Sequence, residues 1–367
     1  MIRPGLRFLR ALAWGAALQL LAACSALEGP GYLFQSVNGH LDLLRRARPI
    51  AEMLADESTD PGLRARLERI ARARRFAADR LALPDNGSYT RYSPLERPFV
   101  MWNVVAAPEL SLTPRRWCFP VAGCVSYRGY YDKADADRFA AQLRSAGDDV
   151  RVIGVPAYST LGWFDDPVPS TLLRYPDIEV ARLLFHELAH QVVYLKGDSR
   201  FNESFATAVE EIGVERWLEH LRETTNKAGR EALDAEREQY ELRASRRREF
   251  IALLLAYRQR LKTLYSSALA STEMRVEKAA TLAQLRHDYE RLKRSWNGYA
   301  GYDAWFAEPT GNAHLAAVGT YHDLVPGFRA MHQEANGDMP GFFEAVRLLA
   351  MREKAERDRL LGAASRD

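Results

Sequence analysis

The chain of 367 residues has no apolar run long enough to cross a membrane, few cysteines and no excess of either charge. Three of its 51 basic residues lie within the first ten positions, and without them the basic residues equal the 48 acidic ones. A chain balanced in this way offers no electrostatic case for a nucleic-acid partner. With 47% hydrophobic and 27% charged residues, the composition excludes disordered and collagen-like classes and is typical of a globular protein.

The first 23 residues have the pattern of a targeting segment that ends at Cys24. A basic stretch at 1–10 precedes an apolar stretch at 11–23, which is too short to span a membrane. The small residues before Cys24 resemble the lipobox of bacterial lipoproteins. The resemblance implies cleavage before Cys24, lipidation of its thiol and, because Ser25 follows, a position in the outer membrane facing the periplasm. A plain secretory signal with an incidental cysteine is the alternative.

The remaining two cysteines, Cys118 and Cys124, enclose a short segment with a proline and a glycine that favour a tight loop. Export would bring the chain to an oxidising compartment, where we expect the two thiols to form a disulfide. Such a bridge requires the two Cα atoms to lie within about 7 Å. A metal-binding pair is the alternative, but no second cysteine or histidine pair lies nearby in the sequence.

Hydrophobic periodicity predicts an α+β fold that is mostly helical, with a small mixed sheet and a long helical hairpin. The chain is expected to divide into five segments: a signal peptide at 1–23, an N-terminal helical segment at 24–97, a catalytic core at 98–221, a long charged helical hairpin at 222–298, and a C-terminal helical segment at 299–367 that completes the core.

Apolar spacing also predicts the individual elements. Helices are expected at 37–54, 63–81, 133–146, 177–196, 203–221, 313–322 and 339–356, and strands at 99–106, 121–131 and 150–155. Asp177 and Asn202 are the predicted N-caps of the fourth and fifth helices, with Gly197 in the turn between them. The hairpin is predicted to turn between 266 and 272, and its charged residues, including Arg246, Arg247 and Arg248, to form a solvated face.

The most informative motif is His186-Glu187-Leu188-Ala189-His190, an HExxH sequence inside an apolar helical pattern. Residues four apart on a helix lie on one face about one turn apart, so the imidazoles of His186 and His190 can converge on one cation. Zinc accepts imidazole nitrogens at about 2.0–2.1 Å. Glu187 lies one step around the helix, where it can take a proton from a water that the metal activates.

A catalytic zinc site requires a third protein ligand and keeps a fourth position for water. Glu203 is the nearest downstream candidate, because the turn at Gly197 can fold the next helix back beside the first. Glu210 lies two turns beyond Glu203 on a similar face and could accept the Nδ1 proton of a ligand histidine. The alternative is that the two histidines are hydrogen-bonded core residues without a metal.

With the HExxH motif and Glu203, the chain resembles zincin metallopeptidases of the gluzincin type, and more closely the bacterial predicted-aminopeptidase lipoproteins. The resemblance is carried by residues 186–191, 202–206, 118–124 and 157–167, and by Asn312-Ala313 with Tyr321, Val325 and Pro326. It implies a zincin-like core, one zinc ion per chain held by His186, His190 and Glu203, and Glu187 as general base. It also implies an aminopeptidase activity on peptide substrates.

The oxyanion of a tetrahedral intermediate needs a hydrogen-bond donor. Tyr321 and His322, late in the chain, could fold over the metal, and Tyr158 lies in the loop before the metal helix. Each of these residues can equally be structural, since a buried tyrosine commonly satisfies a hydrogen bond and no more.

Two further features concern the substrate. Zincins use the strand before the metal helix to receive the substrate by edge pairing, and residues 150–155 occupy that place in the order. A free substrate amine would need a carboxylate, for which Asp165, Asp166 and Glu179 are near enough to be considered. The sequence does not choose among the three.

Together these features predict a lipid-anchored zinc peptidase of the bacterial cell envelope that removes residues from peptide N-termini. An endopeptidase of the same mechanism is the first alternative. The second is a non-catalytic envelope protein with a zincin-like fold, which would bind partners through the charged hairpin at 227–292.

Overall fold

The computed structural model describes residues 30–119 and 123–363. The chain is mostly helical (63%) with small sheets, which confirms the predicted α+β class. The predicted signal segment and Cys24 lie outside the described residues. Among the helices that are described, none combines the length and the apolar character that a membrane span requires.

Helices form most of the described chain. In chain order they are α1 Pro30–Arg46, α2 Ile50–Ala55, α3 Pro61–Leu81, α4 Lys133–Ser145, α5 Asp177–Ala189, α6 Ser199–Thr224, α7 Lys227–Tyr265, α8 Ser271–Ser295, α9 Asn312–His322, α10 Val325–Glu334, α11 Met339–Ala350 and α12 Lys354–Ala363. Two 3-10 turns, Ser170–Arg174 and Asp303–Phe306, lie between the helices.

The strands are short and form separate small sheets. They are β1 Arg48–Pro49, β2 Arg91–Ser93, β3 Met101–Pro108, β4 Trp117–Phe119, β5 Gly123–Val125, β6 Arg128–Tyr130, β7 Asp148–Val155 and β8 Val168–Pro169. The main sheet has the order β6-β3-β7 and is antiparallel, so that Trp102 of β3 lies opposite Tyr130 and Gly154. A smaller sheet has the order β1-β2-β8, with β2 and β8 parallel, and β4 pairs with β5.

The packing of α5 against α6 lies at the centre of the largest apolar cluster. Phe185 of α5 is completely buried and lies against Gly213 of α6. A Cβ atom added at Gly213 would lie 2.8 Å from the Phe185 ring and 3.0 Å from Leu81 of α3. The absence of a side chain at Gly213 therefore allows the two helices to approach closely, directly beside the HExxH motif.

The long hairpin has an apolar core of its own. It is formed by α7 and α8, which turn between residues 265 and 271 as predicted. Phe250 and Tyr257 of α7 pack with Leu285 and Tyr289 of α8, and all four are buried. The hydroxyl of Tyr257 donates to Asp288 at 2.6 Å. Although many of its residues are charged, the hairpin therefore buries a row of apolar side chains between its two helices.

The predicted disulfide is confirmed. Cys118 of β4 and Cys124 of β5 are bridged, with their Cα atoms 3.8 Å apart. The guanidinium of Arg116 donates to the carbonyl oxygens of Cys124, at 3.0 Å, and of Gly197, at 2.7 Å. These hydrogen bonds connect the disulfide-bridged β4-β5 hairpin to the loop that follows α5.

The helix predicted at 37–54 is wrong in its bounds. The structure has α1 from Pro30 to Arg46 and a separate short helix, α2, from Ile50. Pro49 explains the break, because proline lacks a backbone donor and disfavours the helical conformation of the residue before it. The strand predicted at 121–131 is likewise divided into β5 and β6.

Helix α5, which carries the HExxH motif, ends earlier than predicted. Its last residue is Ala189, and residues 191–198 form turns instead of two further helical turns. Asn202 is not the N-cap of α6, because its side chain accepts from the backbone nitrogen of Leu195 and donates to the carbonyl of the same residue. The N-cap is Asp198, which accepts from Phe201. Asp177 is a helical residue that pairs with Arg66 and Arg69.

The C-terminal segment contains two features that the sequence pattern missed. The helix predicted at 339–356 is divided into α11 and α12, and a further helix, α10, precedes it. The guanidinium of Arg357, in α12, donates to the carbonyl of Arg352, which lies between α11 and α12. This interaction satisfies a carbonyl that a continuous helix would have bonded internally.

Asp198 connects the start of α6 to this C-terminal segment. Its carboxylate is buried and lies 2.7 Å from Arg357 and 3.3 Å from Lys354. Burial alone would raise the pKa of Asp198, but the hydrogen bond from Arg357 and the charge of Lys354 outweigh it and lower that pKa. The ionised carboxylate therefore stabilises the native state at neutral pH.

We expect Asp198→Asn to lower the free energy of unfolding by about 3 kcal/mol, because it leaves Arg357 buried without a counter-charge. Since the folded-state pKa is depressed, the contribution of Asp198 is complete above the unfolded value of about 3.9 and is lost as the pH falls through the folded value. Urea denaturation at neutral and acid pH measures the difference. Asp137→Asn, at an exposed pair with Lys133, is the matched control and should change stability by less than about 1 kcal/mol.

Candidate metal centre

The two histidines of the motif lie side by side at the end of α5. His186 is in the last turn of the helix, and His190 follows its last residue with φ −59° and ψ −21°, so the helical turn continues through it. The ring centroids are 4.9 Å apart. The predicted one-turn relation of the two imidazoles is therefore present, although the helix ends between them.

Glu203 of α6 faces both histidines. Its Oε2 atom lies 3.4 Å from Nε2 of His186 and 3.7 Å from Nε2 of His190. One ligand atom from each of the three residues falls within 4.8 Å of the others. Ligands at about 2.0–2.1 Å from a tetrahedral zinc ion are separated by about 3.3 Å. The three side chains thus have donor types and spacings that fit one zinc ion.

The other ring nitrogen of His186 faces a second carboxylate. Oε2 of Glu210 lies 2.9 Å from Nδ1 of His186, which is the position expected from the sequence. Arg182 of α5 donates both to Glu210 and to Glu179, with its Nε atom 2.7 Å from the latter. Glu179 in turn lies 3.4 Å from Arg247 of α7. A row of alternating charges, each buried or half-buried, therefore runs from the hairpin to the candidate metal centre; we call it the buried charged row.

Burial and charge act against each other on the carboxylates of the centre. Burial alone would raise the pKa of Glu203 and Glu210, but the neighbouring histidine and arginine charges lower both values to about 2. Burial alone would lower the pKa of His186, but its hydrogen bonds to the two glutamates raise it to about 10. Both carboxylates are therefore ionised at neutral pH. Their negative charge is balanced by a proton on a histidine or by a bound metal ion.

Glu187 differs from the other two glutamates. Its side chain lines the cavity in front of the histidines, and no hydrogen bond or ion pair joins it to the described residues. Burial raises the pKa of its carboxyl above the ordinary value, partly offset by the two histidines. A carboxylate that is unpaired, basic and next to the ligand set is suited to accept a proton.

The centre opens into a cavity of about 630 Å³. One part of its wall is formed by β7 and the loop after it. Another part is formed by one face of α7: Arg247, Arg248, Ile251, Ala252 and Leu255. The prediction of a merely solvated face on the hairpin is therefore wrong for this part. Arg248 is exposed, but Arg247 reaches Glu179, and Arg246 lies over the ring of Tyr299 at 4.3 Å.

The predicted oxyanion donors have different surroundings. Tyr158 lines the cavity, but its hydroxyl is shared with Tyr131, at 2.7 Å, and with His40, at 2.5 Å. This favours the structural alternative for Tyr158. The side chain of Tyr321 lies outside the part that the structure describes. His322 lines the cavity, and burial lowers its pKa, so that the neutral imidazole is favoured.

Two tyrosines near the candidate metal ligands were not predicted as donors. Tyr127, between β5 and β6, lines the cavity, and burial followed by the charge of Glu203 raises its pKa. Tyr194 also lines the cavity, with its ring 6.5 Å from that of His190. The sequence carries no local signal for Tyr127, because only the sheet brings it to the centre.

None of the three carboxylates considered for the substrate amine lines the cavity among its described residues. Glu179 belongs to the buried charged row, and Asp165 is exposed. Asp166 is buried and accepts from the backbone nitrogen and the hydroxyl of Thr160, which holds the loop before α5 together. The carboxylate left on the described cavity wall, apart from the metal centre, is that of Glu211, which pairs with Arg329 at 3.2 Å.

Comparison with known proteins places the chain in a family. A family model described as "Putative aminopeptidase" matches residues 31–361. The chain belongs to this family. The match spans the residues of the candidate metal centre, the cavity walls and the hairpin. No curated protein and no solved structure matches the chain.

The buried charged row gives a stability prediction for the metal-free protein. Arg182→Met removes the main positive partner of Glu210, so we expect the free energy of unfolding to fall by about 3–5 kcal/mol in urea denaturation. Adding Glu210→Gln removes the unpaired charge, so the double variant should recover part of this loss. Purely additive losses from the two substitutions would contradict the coupling.

Proposed function

We propose that the protein is a zinc-dependent peptidase that is anchored by lipid at Cys24 to the periplasmic side of the bacterial outer membrane. The observation that carries the proposal is the convergence of Nε2 of His186, Nε2 of His190 and a carboxylate oxygen of Glu203. Membership of the aminopeptidase family supports the activity class. A zincin-like arrangement of α5, α6 and the β6-β3-β7 sheet is part of the same proposal.

The donor set favours zinc over other cations. Two imidazoles and one carboxylate, with a fourth position open to the cavity, form a typical catalytic zinc site, whereas magnesium and calcium prefer oxygen ligands alone. Zinc bound there would polarise the substrate carbonyl and lower the pKa of the attacking water. Glu210 would hold His186 in the tautomer that presents Nε2 to the metal.

The remaining steps belong to side chains of this chain. The unpaired carboxylate of Glu187 accepts the proton of the attacking water and delivers it to the nitrogen of the leaving amine. The edge of β7 that faces the cavity receives the peptide backbone by strand addition. Tyr127, Tyr194 and His322 are the cavity-lining groups that could donate to the oxyanion.

An aminopeptidase must bind the free amine of its substrate. Glu211 is a half-exposed carboxylate on the described cavity wall, next in sequence to Glu210 on α6. A carboxylate in this position attracts an ammonium group and gives no such benefit to a blocked N-terminus. We therefore assign the binding of the substrate amine to Glu211.

The zinc assignment predicts that purified protein carries near one zinc ion per chain. His190→Ala should lose the metal, whereas Glu187→Gln should retain it and lose hydrolysis of a peptide panel by a factor of at least about 100. Metal analysis and a peptidase assay on the same preparations measure both properties. Wild-type protein that holds zinc but cleaves no peptide would favour the binding-protein alternative.

The amine assignment predicts that free peptides are cleaved faster than the same peptides with acetylated N-termini. Glu211→Gln should reduce this preference by about tenfold, through KM rather than kcat, because it removes a charged hydrogen bond to the substrate. Equal cleavage of both peptide sets by wild-type protein would favour the endopeptidase. Glu215→Gln, which alters the other acidic partner of Arg329, is the matched control.

The anchor predicts that the full chain fractionates with membranes and that Cys24→Ser abolishes lipid labelling of the chain. Labelling with a radioactive fatty acid, followed by electrophoresis, measures this directly. Retention of the label in Cys24→Ser would contradict the anchor and leave the peptidase proposal intact.

A further inference from the structure

Six of the twelve exposed large hydrophobic side chains in the described part of the chain lie on two segments that contact one another. Their exposed fractions run from 42% to 71%, which is unusual for side chains of this size. They are Leu33, Phe34, Val37 and Leu41 of α1, and Trp163 and Phe164 of the loop before α5. We call these six side chains the apolar face.

The apolar face runs along one side of α1. Leu33, Val37 and Leu41 follow one another at steps of four residues, which places them on one stripe of the helix. The opposite side holds the helix to the protein through buried Leu43 and through Gly39, on which the ring of Tyr131 packs. The helix is thus amphipathic with its apolar stripe turned outward, the reverse of what is usual in a globular domain.

The loop joins this stripe as part of the same surface. The ring of Phe164 lies 4.7 Å from that of His40 on α1. Nδ1 of His40 lies 2.5 Å from the hydroxyl of Tyr158, and Tyr158 is bonded to Tyr131. These contacts fix the loop against the helix, so the two parts present one preformed surface.

We propose that the apolar face lies in the headgroup region of a phospholipid bilayer. Amphipathic helices with exposed aromatic and leucine side chains bind membranes in this way, and tryptophan is favoured at the interface. The inference rests on the anchor in the proposed function: six residue steps separate Cys24 from Pro30, a reach of at most about 20 Å. A lipid at Cys24 therefore holds α1 close to the bilayer.

The orientation has a consequence for the substrate. Tyr158, Ser159 and Leu161 of the same loop line the catalytic cavity. With the apolar face on the bilayer, the cavity lies next to the membrane surface. The peptides that it meets first are those attached to, or released at, that surface.

The test uses the mature chain from Ser25 onward, which lacks the lipid and retains every described residue. We expect it to co-sediment with mixed phosphatidylethanolamine–phosphatidylglycerol vesicles. Leu33→Ser, Phe34→Ser and Val37→Ser in one chain should weaken binding by at least about 100-fold. Vesicles with brominated acyl chains should quench the fluorescence of Trp163, and Trp163→Phe should lose that part of the quenching.

Val276→Ser, Leu348→Ser and Met351→Ser in one chain are the matched control, because these side chains are equally exposed elsewhere. This control should bind as wild type does, and thermal melts should show that all variants fold. Wild-type chain that stays in the supernatant, or a triple variant of α1 that binds normally, overturns the proposal. A wild-type dimer that the same triple variant dissociates would assign the apolar face to a second copy instead. Zinc content and peptidase activity are measured separately, so a failure of either function does not affect this result.

Discussion

The arrangement of the centre depends on one carboxylate oxygen, Oε2 of Glu203, lying within 3.4 and 3.7 Å of two imidazole nitrogens. Three features hold it there. Gly213 allows α6 to approach Phe185 of α5, the side chain of Asn202 fixes the intervening loop at Leu195, and Asp198 caps α6. None of these residues lies among the ligands, yet each determines where the first turn of α6 meets the end of α5.

The charged side chains next to the centre are neutralised by a series of ion pairs that extends as far as the hairpin. Glu210 supports His186, Arg182 neutralises Glu210, Glu179 neutralises Arg182, and Arg247 of the hairpin completes the row. Each charge is buried or half-buried, so each needs its neighbour to remain ionised without a large desolvation cost. The hairpin is therefore joined to the centre electrostatically as well as by forming a wall of the cavity.

The features that could be predicted from the sequence are those that depend on spacing along the chain. The relation of His186 to His190 follows from the helical repeat. Glu203 could be proposed because the turn at Gly197 can fold the next helix back beside the first. The hairpin and the disulfide were also predicted, since each has a strong local pattern. The cavity wall on α7, the position of Tyr127 and the role of Glu179 were not, because they depend on packing between segments far apart in the chain.

Local errors had local causes. The sequence suggested Asn202 as a cap because asparagine is common at that position, but its side chain found both backbone groups of Leu195. The predicted helix at 37–54 ignored Pro49, and the predicted helix at 177–196 extended apolar spacing through a turn. In each case a local feature of the backbone, a proline, a turn or a side-chain hydrogen bond to the backbone, overrode the periodicity.

The shape of the cavity and the candidate ligand set depend on different residues in this protein, because α7 forms part of the wall and carries none of the ligands. Arg247, Ile251 and Leu255 recur at four-residue steps along one helix, whereas the candidate metal ligands lie at the end of α5 and on α6. A substitution at Ile251 or Leu255 reshapes the cavity without altering any ligand. The shape of this wall and the position of the candidate ligands are therefore set by different helices of the chain.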